Sequence, residues 1–92
     1  MHGFIENKIY YKKEKESAKL RMNGGSWTLN LTEISQLINK HGGYPEKIRI
    51  ITEKYVYEID YVDAFRSDSF VKFLGGEMKL VIPIKSWKIK EA

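Results

Sequence analysis

Lys79, Lys85, Lys88 and Lys90 fall within a stretch of twelve residues that contains no acid, and Trp87 stands among them in Lys85-Ser86-Trp87-Lys88-Ile89-Lys90. Ammonium groups that neutralise phosphates, interleaved with a ring that stacks on a base, are the ingredients of single-strand nucleic-acid binding. Lys19, Arg21, Lys47 and Arg49 occupy the polar positions of two other predicted strands. They extend the same surface if those strands are neighbours. The competing account is plain: lysines on the wet side of a sheet keep it from aggregating, and Trp87 is core. Three arginines against thirteen lysines favour phosphate contact over base readout, where bidentate arginine leads.

A second surface competes with the first. Tyr55, Tyr57 and Tyr61 recur at even spacing and share one face of a predicted strand. Tyrosine is enriched where proteins meet. Glu58 and Asp60 lie among them and repel phosphate, so the stripe points to protein contact or self-association. A half-buried face whose hydroxyls reach water is the simpler and favoured account of the stripe.

Catalysis has little to work with. His2 stands near the first residue, and His41 closes a predicted helix, where a cation suits the macrodipole. The absence of cysteine removes a disulfide framework, a thiolate metal site and a thiol nucleophile. No phosphate loop, dinucleotide fingerprint or His-Glu-x-x-His motif occurs. Gly24-Gly25, Gly42-Gly43 and Gly75-Gly76 each fall at an element end, which turns and caps explain.

One family of metal-dependent nucleases uses an acid-x-Lys strand behind further carboxylates. Glu77-Met78-Lys79, with Asp60, Asp63 and Asp68 upstream, has that outline, and Glu6-Asn7-Lys8 repeats the triplet. Two such triplets are what this composition produces by chance. Glu58, Asp60, Asp63 and Asp68 lack the spacing of a calcium loop. The expectation is a non-enzymatic protein with no catalytic residue, no metal and no cofactor, a nuclease being the distant alternative.

The 92 residues carry a formal charge of +4 and are 42% hydrophobic and 30% charged, which is globular rather than disordered. No apolar run is long enough to span a membrane, and no secretory stretch opens the sequence, so a cytoplasmic location is expected. The charge is polarised. Residues 79–90 carry four lysines and no acid, whereas residues 53–68 carry two basic and five acidic side chains. If these two segments pair as strands, part of that charge is cross-strand pairing.

The positioning elements follow from periodicity. Residues 4–11 and 17–22 read as strands, the latter because Ala18, Leu20 and Met22 alternate with polar residues. Asn23-Gly24-Gly25 reads as a tight turn into a short strand at 26–29. Leu31, Ile34, Leu37, Ile38 and His41 predict a helix over 31–41, capped by Asn30 or Thr32 and stopped by Gly42-Gly43 and Pro45. Residues 47–52 and 55–61 form a strand pair. Phe70, Val71 and Leu74 predict a second helix over 67–74. Residues 78–84 form an apolar strand in which Pro83 marks an edge or bulge. The inward set changes parity near Lys85-Ser86, as one extra residue would cause. The order β-β-(β)-α-β-β-α-β predicts one α+β domain over 1–92: a single antiparallel sheet of about five strands with two short helices on one face. The expected function is weak, sequence-independent nucleic-acid binding. The alternative is a protein-interaction module or homo-oligomer.

Overall fold

The computed structural model describes residues 4–12, 14–17, 20–22, 25–66 and 68–92. Its elements are β1 (Phe4–Tyr10), β2 (Lys15–Ser17), β3 (Leu20–Met22), β4 (Ser26–Asn30) and α1 (Leu31–His41). There follow β5 (Lys47–Thr52), β6 (Tyr55–Asp60), α2 (Tyr61–Arg66), β7 (Phe70–Leu74), β8 (Glu77–Pro83), a 3-10 turn (Ile84–Ser86) and β9 (Lys88–Glu91). The class is α+β and every pairing is antiparallel. The strands nonetheless form two sheets, ordered β2-β1-β5-β6-β9 and β3-β4-β8-β7, where one was expected.

The chain changes sheet at places where the sequence pattern looked continuous. The predicted strand over 17–22 is two strands, β2 and β3, that belong to different sheets. The change of parity near Lys85-Ser86 is not a bulge. The 3-10 turn there carries the chain from β8 in one sheet to β9 in the other. Pro83 is the last residue of β8, which is an interior strand, and its missing N–H falls where the ladder ends.

The helix expected over 67–74 is also replaced. Phe70–Leu74 is a strand, joined to β8 through Gly75 and Gly76, whose φ angles are 61° and 79°. Two successive left-handed residues are what a two-residue hairpin requires. Aromatic and β-branched side chains suit the strand that leads into it. The second helix instead starts at Tyr61, directly from the end of β6.

α1 forms where its stripe predicts. Asn30 is the cap: its side-chain oxygen accepts from the Thr32 and Glu33 amides at 2.8 and 3.1 Å. Gly42, at φ 71°, ends the helix, and the Gly43 amide returns to the Ile38 carbonyl. The core joins the two sheets and both helices. Ile9, Ile48, Ile50 and Ile59 come from the larger sheet and Trp27, Leu29, Leu80 and Ile82 from the smaller one, with Ile34 and Ala64 from the helices. Fully burying each large aliphatic contributes about 1.5–3 kcal/mol. This core fixes which face of the five-stranded sheet is turned outward.

Candidate nucleic-acid interface

In β1, β5 and β6 the residues between the core positions point away from the core. Register aligns them in rows. One row runs Ser17, Lys8, Arg49, Glu58, Lys88 across all five strands. The next runs Lys15, Tyr10, Lys47, Asp60. A third sets Glu6, Ile51, Val56 and Lys90 side by side in register. Rows lie about 7 Å apart and neighbouring strands about 4.8 Å. Among the described side chains this face bears six cations, Lys8, Lys15, Lys47, Arg49, Lys88 and Lys90, and two carboxylates, Glu58 and Asp60. Both helices give their buried residues to the core on the opposite side. Val56, opposite Lys90 in register, is buried even here.

Tyr10 is the ring on this face. The Lys15 and Lys47 ammonium groups stand 5.4 and 5.5 Å from its centroid, within cation–π range. Glu58 is shared between Lys47 at 3.4 Å and Arg49 at 3.6 Å. These partly exposed pairs are weak and reduce, but do not cancel, the positive field. Lys88 stands opposite Glu58 in register, so the acidic and basic segments do pair as strands. The carboxylate nevertheless turns toward β5. Lys88 and Lys90 are exposed, and neither is ion-paired among the described residues.

The structure therefore brings together Lys47, Arg49, Lys88 and Lys90 from the sequence-predicted set. It separates the others. Lys79 lies in the smaller sheet, ion-paired to Glu77 at 3.4 Å, and Lys85 lies in the 3-10 turn, paired to Asp68 at 3.0 Å. Trp87 is 5% exposed and belongs to the core, so its ring is not available to a base. Lys19 lies outside the described residues. Arg21 is in β3, in the smaller sheet, opposite Thr28. Lys8, Tyr10 and Lys15 were missed. Their signal was the alternation around Ile9, which points Lys8 and Tyr10 the same way once β1 is known to pair with β5.

The tyrosine stripe does not form a surface. Tyr57 and Tyr61 are buried, Tyr61 opens α2 instead of ending β6, and only Tyr55 is exposed. Burial holds the Tyr61 hydroxyl above its ordinary pKa, with Tyr44 and Tyr11 adding to the effect. The nuclease outline is likewise dispersed. Asp60 ends β6 in one sheet, Glu77 opens β8 in the other, and Asp68 pairs with Lys85.

A second charged cluster lies at the end of α1. Among the described residues, Glu14, Glu16 and His41 are the one group with three potential metal-ligand atoms close together. His41 Nε2 is 2.6 Å from Glu16 and Nδ1 is 3.3 Å from Glu14, while the ring stacks on Tyr11 at 3.9 Å. Lys40 already occupies the same Glu16 oxygen at 2.8 Å. The hydrogen bonds from Lys40 and then His41 hold the Glu16 carboxyl below its ordinary range. The arrangement gives Glu16 two hydrogen-bond partners and ties the β1–β2 hairpin to α1. His41 is thus a tertiary clamp as well as the last residue of the helix.

Comparison with protein-family models, with curated proteins and with solved structures finds no match.

Proposed function

We propose that this chain is a non-enzymatic binding protein that takes single-stranded nucleic acid, with little base preference, on the outer face of the five-stranded sheet. The observation that supports the reading is the register that collects Lys8, Lys15, Lys47, Arg49, Lys88 and Lys90 around Tyr10 on one open face. Rows of cations about 7 Å apart suit a backbone of regularly spaced phosphates. A base that stacks on Tyr10 displaces a neighbouring lysine, whose charge is then free for phosphate. Lysine's compact charge, in place of arginine's fork, gives attraction without base reading.

The test is fluorescence anisotropy with a labelled oligonucleotide of mixed sequence. Binding at about 50 mM salt should weaken steeply by about 200 mM. Tyr10→Ala should weaken binding to single strands while leaving binding to heparin, a polyanion without bases, nearly unchanged. Equal loss for both ligands removes the stacking role, and no binding at the lower salt removes the proposal.

A further inference from the structure

All five residues of the edge strand β7 are exposed and four of them are large and apolar, whereas β9, exposed throughout as well, carries a single apolar residue. Phe70 is 53% exposed, Val71 47%, Phe73 68% and Leu74 45%. Register places Val71 and Phe73 on the face that carries Leu80, with Met78 opposite Phe73 and also 45% exposed. Phe70 and Leu74 stand on the other face. Among the described residues no strand pairs with the outer side of β7, so its edge amides and carbonyls face solvent as well.

These five side chains expose on the order of 500 Å² of apolar surface, at the upper end of what a monomer leaves uncovered. Pairing through the edge covers the flanks of these side chains and the open backbone, a contact at the small end of the range for specific interfaces. The chemistry excludes a phosphate ligand: Lys72 is the one charge on β7, and neighbouring Lys79 is paired with Glu77. It suits a partner that is itself apolar, extended and able to complete a ladder, and β7 meets that description.

We propose that β7 pairs antiparallel with β7 of a second copy about a two-fold axis, joining two four-stranded sheets into one. A register centred on Phe73 sets that ring against its own copy and places Lys72 opposite Leu74. A register centred on Lys72 sets two ammonium groups face to face, which is destabilising. The isologous contact buries the open backbone edge, sets the apolar side chains of the two copies beside one another and closes, so it ends at a dimer.

Light scattering and sedimentation on the full chain test this. At about 100 μM the mass should be twice the 10.8 kDa of one chain. Phe73→Asp should weaken association by on the order of 100-fold or more, since the change falls on both sides of the axis. Its circular dichroism should stay that of the parent, because Phe73 buries little in the monomer, whereas its Tm should lose the concentration dependence that dimerisation gives the parent. Ser35→Asp, on the exposed side of α1, should leave the dimer intact. A wild type that stays monomeric overturns the proposal, and cosedimentation of that monomer with anionic lipid vesicles would assign the patch to a membrane surface instead. A dimer that survives Phe73→Asp also overturns it, since the contact then lies elsewhere.

Discussion

Replacing Lys88 and Lys90 together by glutamine separates a binding face from ordinary surface charge. Both are exposed on the edge strand β9, and neither is ion-paired among the described residues, so the double variant should fold as the parent does. If all six cations of the face neutralise phosphates of a single strand, each contributes about −0.7 to the slope of log K against log salt. The wild-type slope is then about −4, a loss of roughly 300-fold between about 50 and 200 mM salt. Removing two contacts brings the slope to about −3 and the loss to roughly 50-fold. The control is Lys79→Gln with Lys85→Gln. It deletes the same charge from the same stretch of sequence, but from residues that lie off the face and are already paired with Glu77 and Asp68. Anisotropy titrations at four or five salt concentrations measure all three slopes. If the control lowers the slope as much as Lys88→Gln with Lys90→Gln does, net charge and not the face governs binding.

Four further expectations follow from the same geometry. Glu58→Gln should strengthen oligonucleotide binding at low salt, because it releases Lys47 and Arg49 and removes a negative charge from the face. Trp87→Ala should cost about 3–5 kcal/mol by urea denaturation, the value for truncating a buried aromatic; a cost under about 1 kcal/mol would contradict its place in the core. Gly75→Ala should destabilise by about 1–2 kcal/mol through its positive φ alone, since nothing crowds an added Cβ there. The Glu16 carboxyl has its pKa lowered in the folded state. Its contribution is therefore present above the ordinary glutamate value of about 4.3 and is lost as pH falls through the folded value. Tm should accordingly drop on acidification below about 4. Glu16→Gln should flatten that drop, and an unchanged profile would show the clamp contributes nothing.

What the sequence disclosed was local. The three- and four-residue spacing of Leu31, Ile34, Leu37 and Ile38, with Asn30 and Gly42 at its ends, located α1 because every determinant lies within one segment. The hairpin of β5 and β6 was legible for the same reason, and Thr52 and Tyr55 close its turn through reciprocal hydrogen bonds at 3.0 Å. Partition into two sheets was not legible, because alternation says which residues share a face and not which strands share a sheet. The 67–74 segment misled because Phe70, Val71 and Leu74 fit a helical stripe as well as a strand, and Gly75-Gly76 serves a helix end as well as a hairpin. The cationic face was half visible. Lys47, Arg49, Lys88 and Lys90 were identified, but Lys79 and Lys85 were grouped with them through proximity in sequence, and the 3-10 turn sends them to another part of the molecule. Trp87 belongs to the core because that same turn aims it inward.

The two proposed surfaces respond oppositely to salt, and this makes them independently testable in one titration. Binding on the cationic face releases condensed counterions and must weaken as salt rises. Association through β7 rests on apolar burial and ladder hydrogen bonds, and two chains of formal charge +4 repel each other. Added salt screens that repulsion, over about 10 Å at 0.1 M, and should leave the dimer as tight or tighter. Between about 50 and 200 mM salt the oligonucleotide should therefore dissociate from a protein whose mass stays that of a dimer. If the dimer dissociates over the same range, its contact is electrostatic and does not run through Phe70, Val71, Phe73 and Leu74. If the oligonucleotide stays bound, its contacts are not the lysines of the five-stranded sheet.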